Sequence, residues 1–297
     1  MSAADPAGAV LRGYLWGTGG VVAFGLTLPM TSLVVPVMDP VFIGLGRAVV
    51  AALVAVVLLA VTRAPWPTRG ELGGLAVVAA GVVLGFPVFS AMAMQTVPAS
   101  HGGVVLGLLP LATALASVLI NHERPSAGFW LTAAAGAVLV VIYAGGADLG
   151  GLVAGDLLLL AAAACAAIGY AWGGRLAATM GGARVICWAL VLSLPVIAAP
   201  ALARAPSDFA AIGAGQWAAF AYLALVSQLA GFFLWNRGLA VGGVARVSQV
   251  QLLQPFVTLL GAGVLLSEDW GARDLVFALL VVASVALNRR TVVSTGR

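Results

Sequence analysis

The sequence has no lysine, and all fourteen of its basic residues are arginine. Charge of either sign is scarce, at 8% of the 297 residues, where a soluble domain carries roughly 25%. Only two cysteines occur, Cys165 and Cys187. Both lie in apolar stretches, which excludes a disulfide framework and leaves them as small buried hydrophobes. No HExxH, Gly-x-Ser-x-Gly, Walker A or dinucleotide glycine pattern is present, and no clustered carboxylates. Hydrolysis, ATP-driven pumping, a bound cofactor and a metal are therefore not expected. The first residues, MSAADPAGAVLRG, hold one arginine and no basic cluster. The first apolar segment is expected to stay as a span and not to be cleaved as a signal peptide.

What is abundant is hydrocarbon. Hydrophobic residues make up 62% of the chain, and mean hydropathy is +1.12. A soluble core could not absorb so much apolar surface, so the bilayer is the solvent. Stretches of about 20 apolar residues predict transmembrane helices near 13–35, 41–62, 72–94, 100–120, 127–145, 153–174, 184–203, 215–236, 246–266 and 272–288. With the N-terminus inside, eleven arginines fall in inner segments and two, Arg204 and Arg273, in outer ones. That bias sets both termini in the cytoplasm. The net charge of +4 thus reads as membrane orientation and not as a nucleic-acid surface.

The two halves echo each other. Pro110 to Glu123 and Pro255 to Glu268 each run from proline to a glutamate thirteen residues on, and the two stretches are offset by 145 residues. Thr113 and Thr258 match at the same offset. Five spans per copy is an odd number, so a duplicate enters the membrane inverted. The expected fold is an all-α integral membrane protein of ten transmembrane helices, as two inverted five-helix repeats over 1–147 and 148–297. Inverted repeats with a site at their interface are a transporter architecture.

With LWG at 15–17, Arg47 in span two, the two proline-to-glutamate stretches and GDLLLLAAAACAAIGYAWGGR at 155–175, the chain resembles EamA-type carriers of the drug/metabolite transporter superfamily. Within them it is most similar to the YddG-type exporters of aromatic amino acids. The resemblance covers nearly the whole chain. It implies export by alternating access through a central cavity lined by spans one, three, four, six, eight and nine, in the inner (plasma) membrane.

The residues supply a candidate lining of their own. GxxxG pairs at Gly13/Gly17, Gly81/Gly85, Gly103/Gly107 and Gly169/Gly173 mark spans one, three, four and six as crowded helices. Span nine carries Ser248, Gln251, Gln254 and Thr258 along one face, and span eight carries Gln228, Phe232 and Trp235. Such amides either bond across helices or face a wet cavity, and the cavity reading is preferred. Aromatic candidates are Trp16, Phe24, Phe86, Phe89, Tyr170 and Trp235. Rings among amides suit a flat, partly apolar solute, an aromatic amino acid or a similar compound. Trp16 and Trp235 also fit an interfacial belt.

Pro110 and Pro255 each remove a helical hydrogen bond and are placed as hinges. His101 is the candidate for any proton coupling, because no carboxylate lies mid-span. Arg47 is expected to snorkel or to bond helix-end carbonyls near Asp39, with the meeting of a substrate carboxylate as the other role. The expected partners are the solute and the lipid bilayer, with a monomeric chain. A drug or cation carrier, a carrier of sugar-related metabolites, and a membrane scaffold are the alternative readings.

Overall fold

A computed structural model describes residues 6–121, 124–144, 153–242, 248–288 and 293–294. The described chain is helical, apart from a two-residue antiparallel bridge that pairs Arg124–Pro125 with Val293–Ser294. Seven helices are long and apolar enough to cross a membrane. They are α1 (Leu11–Val34), α2 (Pro40–Val61), α3 (Arg69–Ala93), α4 (Ala99–Ile120), α6 (Ala154–Met180), α7 (Gly182–Ala203) and α8 (Ala214–Val241). Three apolar helices are shorter: α5 (Ala127–Ala144), α9 (Val250–Leu266) and α10 (Ala272–Asn288).

Local chemistry sets several helix starts. Asp39 caps α2 by accepting from the backbone N–H of Val41 at 2.8 Å, with Pro40 in the first turn. Thr68 and Glu71 form a capping box at the start of α3. Asp156 accepts from Val153 N–H at 3.1 Å and fixes the start of α6.

The long helices are not uniform. α1 is interrupted at Leu26, between helical stretches ending at Gly25 and beginning at Thr27. Pro29 lacks the N–H that would bond the Gly25 carbonyl, and the Thr258 hydroxyl of α9 donates to that carbonyl at 2.7 Å instead. A π-helical stretch widens α3 at Ala79–Gly85, and another widens α8 at Tyr222–Ala230. Each hinge proline follows a 3-10 stretch: Leu106–Leu108 precedes Pro110, and Ser248–Leu253 precedes Pro255. The removed donor tightens the turn before it, as both prolines predict.

Glycine decides which helices touch. A methyl group at Gly81 would run into the Cys165 carbonyl oxygen and Gly169, so α3 lies backbone-close on α6. Gly238 of α8 faces Gly13 and Gly17 of α1, and Gly103 of α4 sits against Thr258 of α9. Of the GxxxG helices, α3 and α4 both pack on α6, as expected of a crowded set, whereas α1 packs on α8, and α4 also meets α9, because each small-residue groove takes the backbone or a short side chain of a partner. A buried alanine run on α2, Ala48, Ala51, Ala52 and Ala55, shares a core cluster with Ile186, Ala189 and Leu190 of α7.

Candidate substrate-binding site

Three connected chambers run inward from one end of the helices. The first is a vestibule of about 100 Å³, bounded by Val78, Tyr170, Gly173, Gly182, Phe232, Trp235 and Asn236. Its mouth is the end where Arg175, Arg184 and Arg237 follow directly in the chain. Tyr170, Phe232 and Val82 also line a second, tight chamber of about 20 Å³, with Phe24, Thr27, Arg47, Phe86, Ser227, Gln228 and Gln254. Phe24, Thr27, Phe86 and Gln254 continue into a third, smaller gap of about 10 Å³, with Gly103, Pro255 and Thr258. The rings touch edge to face where the vestibule meets the second chamber. Phe232 lies 5.0 Å from Phe24 and 6.0 Å from Tyr170, centroid to centroid.

A hydrogen-bonded chain crosses four helices beside the second chamber. Thr27 Oγ1 of α1 lies 2.7 Å from Ser227 Oγ of α8. Arg47 of α2 donates to Ser227 Oγ at 3.2 Å and, through Nε, to Gln228 Oε1 at 3.0 Å. Gln228 Nε2 then donates to the Val82 carbonyl of α3 at 3.2 Å. Arg47 is 3% exposed. It neither snorkels nor reaches Asp39, which caps α2 and pairs with Arg204 at 3.3 Å. A guanidinium at this depth needs acceptors, and α8 supplies them side by side.

The opposite end is tied shut. The Glu268 carboxylate, just past α9, accepts from the backbone N–H groups of Ala99 and Ser100 at 2.9 and 2.8 Å. It thereby caps α4, where negative charge is favoured. His101 Nε2 lies 2.6 Å from Asp156 Oδ1, and Asp156 is fully buried. The His101 ring stacks on Tyr143 of α5 at 4.9 Å, and the Tyr143 hydroxyl donates to Asp274 of α10 at 2.6 Å. So His101 is half-buried and paired, not a solvated helix-start residue.

The predicted residues divide. Phe24, Phe86, Tyr170, Gln228, Trp235, Gln254 and Pro255 line the chambers. Within that group the Gln228 amide is committed to Arg47 and Val82, so it positions the guanidinium. The Gln254 side chain makes no hydrogen bond to a described residue. Phe89 and Gln251 are half-buried and lie outside the three linings. Trp16 is 40% exposed and carries the Arg237 guanidinium over its ring at 5.6 Å. Pro110 is outside the three linings, although its neighbour Leu109 lines the second chamber. Ser248 begins the 3-10 stretch before α9, and its side chain lies outside the described residues, as does Glu123.

The EamA-like transporter family matches this chain twice, over residues 11–144 and 153–290. The chain belongs to that family. It is 43% identical over 279 residues to the uncharacterized transporter YdeK of Bacillus subtilis (strain 168), covering 94% of this chain and 97% of the relative. The uncharacterized transporter YyaM of the same organism is 22% identical over 255 residues, covering 83% and 84%. A solved crystal structure shares the fold, with a TM-score of 0.61 at 20% identity over 95% of this chain and 96% of that one. This protein is thus a multi-pass membrane transporter.

In this EamA-like transporter the sequence reading missed Thr27 and Ser227 as chamber residues and gave Arg47 first to a structural role. One signal was available for Arg47. An arginine well inside a span with no acid on its own helix face must be answered from another helix, and the adjacent Ser227 and Gln228 were the one polar pair deep in α8. The lining also draws on α2 and α7, which were left out of the expected set.

Proposed function

We propose that the chain is a secondary carrier of small amphipathic metabolites, aromatic amino acids and related compounds, exported by alternating access. In this reading the helices form ten transmembrane spans in two inverted repeats, 1–147 and 148–297, in the inner (plasma) membrane. Both termini are cytoplasmic, so the vestibule opens to the cytoplasm. The observation that carries the substrate reading is the second chamber. Phe24, Phe86, Tyr170 and Phe232 surround it, and the Gln254 amide is free to bond a solute. The repeat reading draws support from the backbone. The π-helical turns at 79–85 in α3 and at 224–230 within the stretch in α8 stand 145 residues apart, as do Pro110 and Pro255. Irregular turns at equivalent places are where two halves can rock against each other.

Solute counterflow tests the proposal. Purified protein goes into liposomes preloaded with unlabelled phenylalanine or tryptophan, and entry of the labelled solute is followed without an ion gradient. Entry competed by other aromatics but not by sugar phosphates supports the carrier. Entry that survives both Gln254→Ala and Trp235→Ala in folded protein removes the chambers as the path. No entry of any aromatic solute sinks the substrate class and returns attention to cations and sugar-related metabolites. A further rise under a proton gradient, abolished by His101→Gln, assigns proton coupling to His101.

A further inference from the structure

Arg47 is the one charged residue among those lining the three chambers. The ion pairs of the described residues are His101 with Asp156 and Arg204 with Asp39, so Arg47 has no carboxylate partner among them. A guanidinium offers five N–H donors in a planar fork and does not give up its proton. Arg47 uses one on Gln228 and one on Ser227, both neutral. The other three reach no described acceptor. A cation held in a bilayer with neutral partners alone is costly. That cost is recovered when an anion enters the chamber. A carboxylate fits the fork in bidentate fashion, and Phe24, Phe86, Tyr170 and Phe232 stand around the same tight space, which holds a ring once they part in alternating access.

An ammonium group finds no such answer. The chamber gives it amide and hydroxyl oxygens and ring faces, which answer a cation only weakly. The Arg47 charge opposes it. From this asymmetry we infer that the chamber selects aromatic monocarboxylates whose acid group has no ammonium beside it, prefers them to aromatic amino acids, and rejects aromatic amines. A single guanidinium also matches one carboxylate better than a phosphate dianion. This inference deepens the proposed function and rests on its placing of the solute in the second chamber.

Three solutes with one ring and one chain length separate the charges: 3-phenylpropanoate, phenylalanine and phenethylamine. Their equilibrium binding to the purified protein in nanodiscs is compared at neutral pH by competition against labelled 3-phenylpropanoate and labelled phenylalanine. The expected order is 3-phenylpropanoate tighter than phenylalanine by about tenfold or more, with phenethylamine not competing. Arg47→Met erases the preference. Removing Arg47 also strips partners from Gln228 and Ser227 and can unfold the protein, so Gln254→Glu serves as the second variant. A carboxylate there answers the ammonium, and phenylalanine then overtakes 3-phenylpropanoate. Wild-type protein that binds phenylalanine as tightly as 3-phenylpropanoate overturns the inference and leaves an aromatic carrier standing. Folded protein that binds none of the three overturns both.

Discussion

Arg47 Nε lies 3.0 Å from Gln228 Oε1, across 181 residues of sequence. The bond joins α2 to α8 and fixes a buried cation at the wall of the ring-lined chamber. Gln228→Glu converts the neutral acceptor into a counter-ion. The counter-ion gained is set against the donor that the Val82 carbonyl loses, so the expected change is in binding, with carboxylated solutes held at least about tenfold more weakly because Arg47 is already answered. Melting and solute binding on the same purified variant check it. Unaltered binding would mean that Arg47 does not meet the solute.

Thr258→Val should lower stability by roughly 1–3 kcal/mol, since the Gly25 carbonyl, left free by Pro29, loses the hydroxyl that bonds it at 2.7 Å. Valine has nearly the same shape, so a loss in thermal unfolding reports the hydrogen bond and not the packing.

Gly81→Ala places a methyl group against the Cys165 carbonyl and pushes α3 from α6. A cost of about 1–3 kcal/mol is expected for such overpacking. Gly70→Ala, where nothing lies within 4 Å of the new carbon, is the control and should be close to neutral.

Glu268→Ala leaves the Ala99 and Ser100 N–H groups without their acceptor. The cap is worth roughly 0.5–2 kcal/mol. Because it joins α9 to α4 at the closed end, its loss should also raise the reactivity of cysteines placed there. Ser100→Cys, on a buried residue of the capped turn, is a reporter for that change.

A cysteine at Asn236, in the vestibule wall, should react with an impermeant maleimide in inside-out vesicles and not in intact cells. Asp269→Cys should show the reverse. Both belong in a background with Cys165 and Cys187 changed to alanine. Exchanged patterns would turn the orientation over.

The site was partly legible before folding. Phe24, Phe86, Tyr170, Trp235 and Gln254 were readable because rings and amides spaced three or four apart on an apolar helix have few uses other than a lining or a cross-helix bond. Which use applied was not readable. Gln228 and Gln254 look alike in sequence, yet one holds Arg47 and the other faces open space, since that depends on what the neighbouring helix presents. Trp16 and Phe89 had the right residue type on the right spans, but helix rotation carried them outside the chambers.

Composition and periodicity alone determined that the chain is helical and membrane-embedded, because few charges and long apolar runs leave no other solvent. Pro110 and Pro255 likewise marked where α4 and α9 loosen, since a missing N–H is a covalent fact, whereas the widened turn of α8 has no proline and α7 stays helical through Pro195 and Pro200. Tertiary structure decided the rest. It set Arg47 against Ser227 and Gln228, gave the Gly25 carbonyl to Thr258, and closed one end with Glu268 and the His101–Asp156 pair. Each of these is a hydrogen bond between residues far apart in sequence. Its energy exists only once glycine-lined faces let the helices approach, and no local pattern encodes which faces meet.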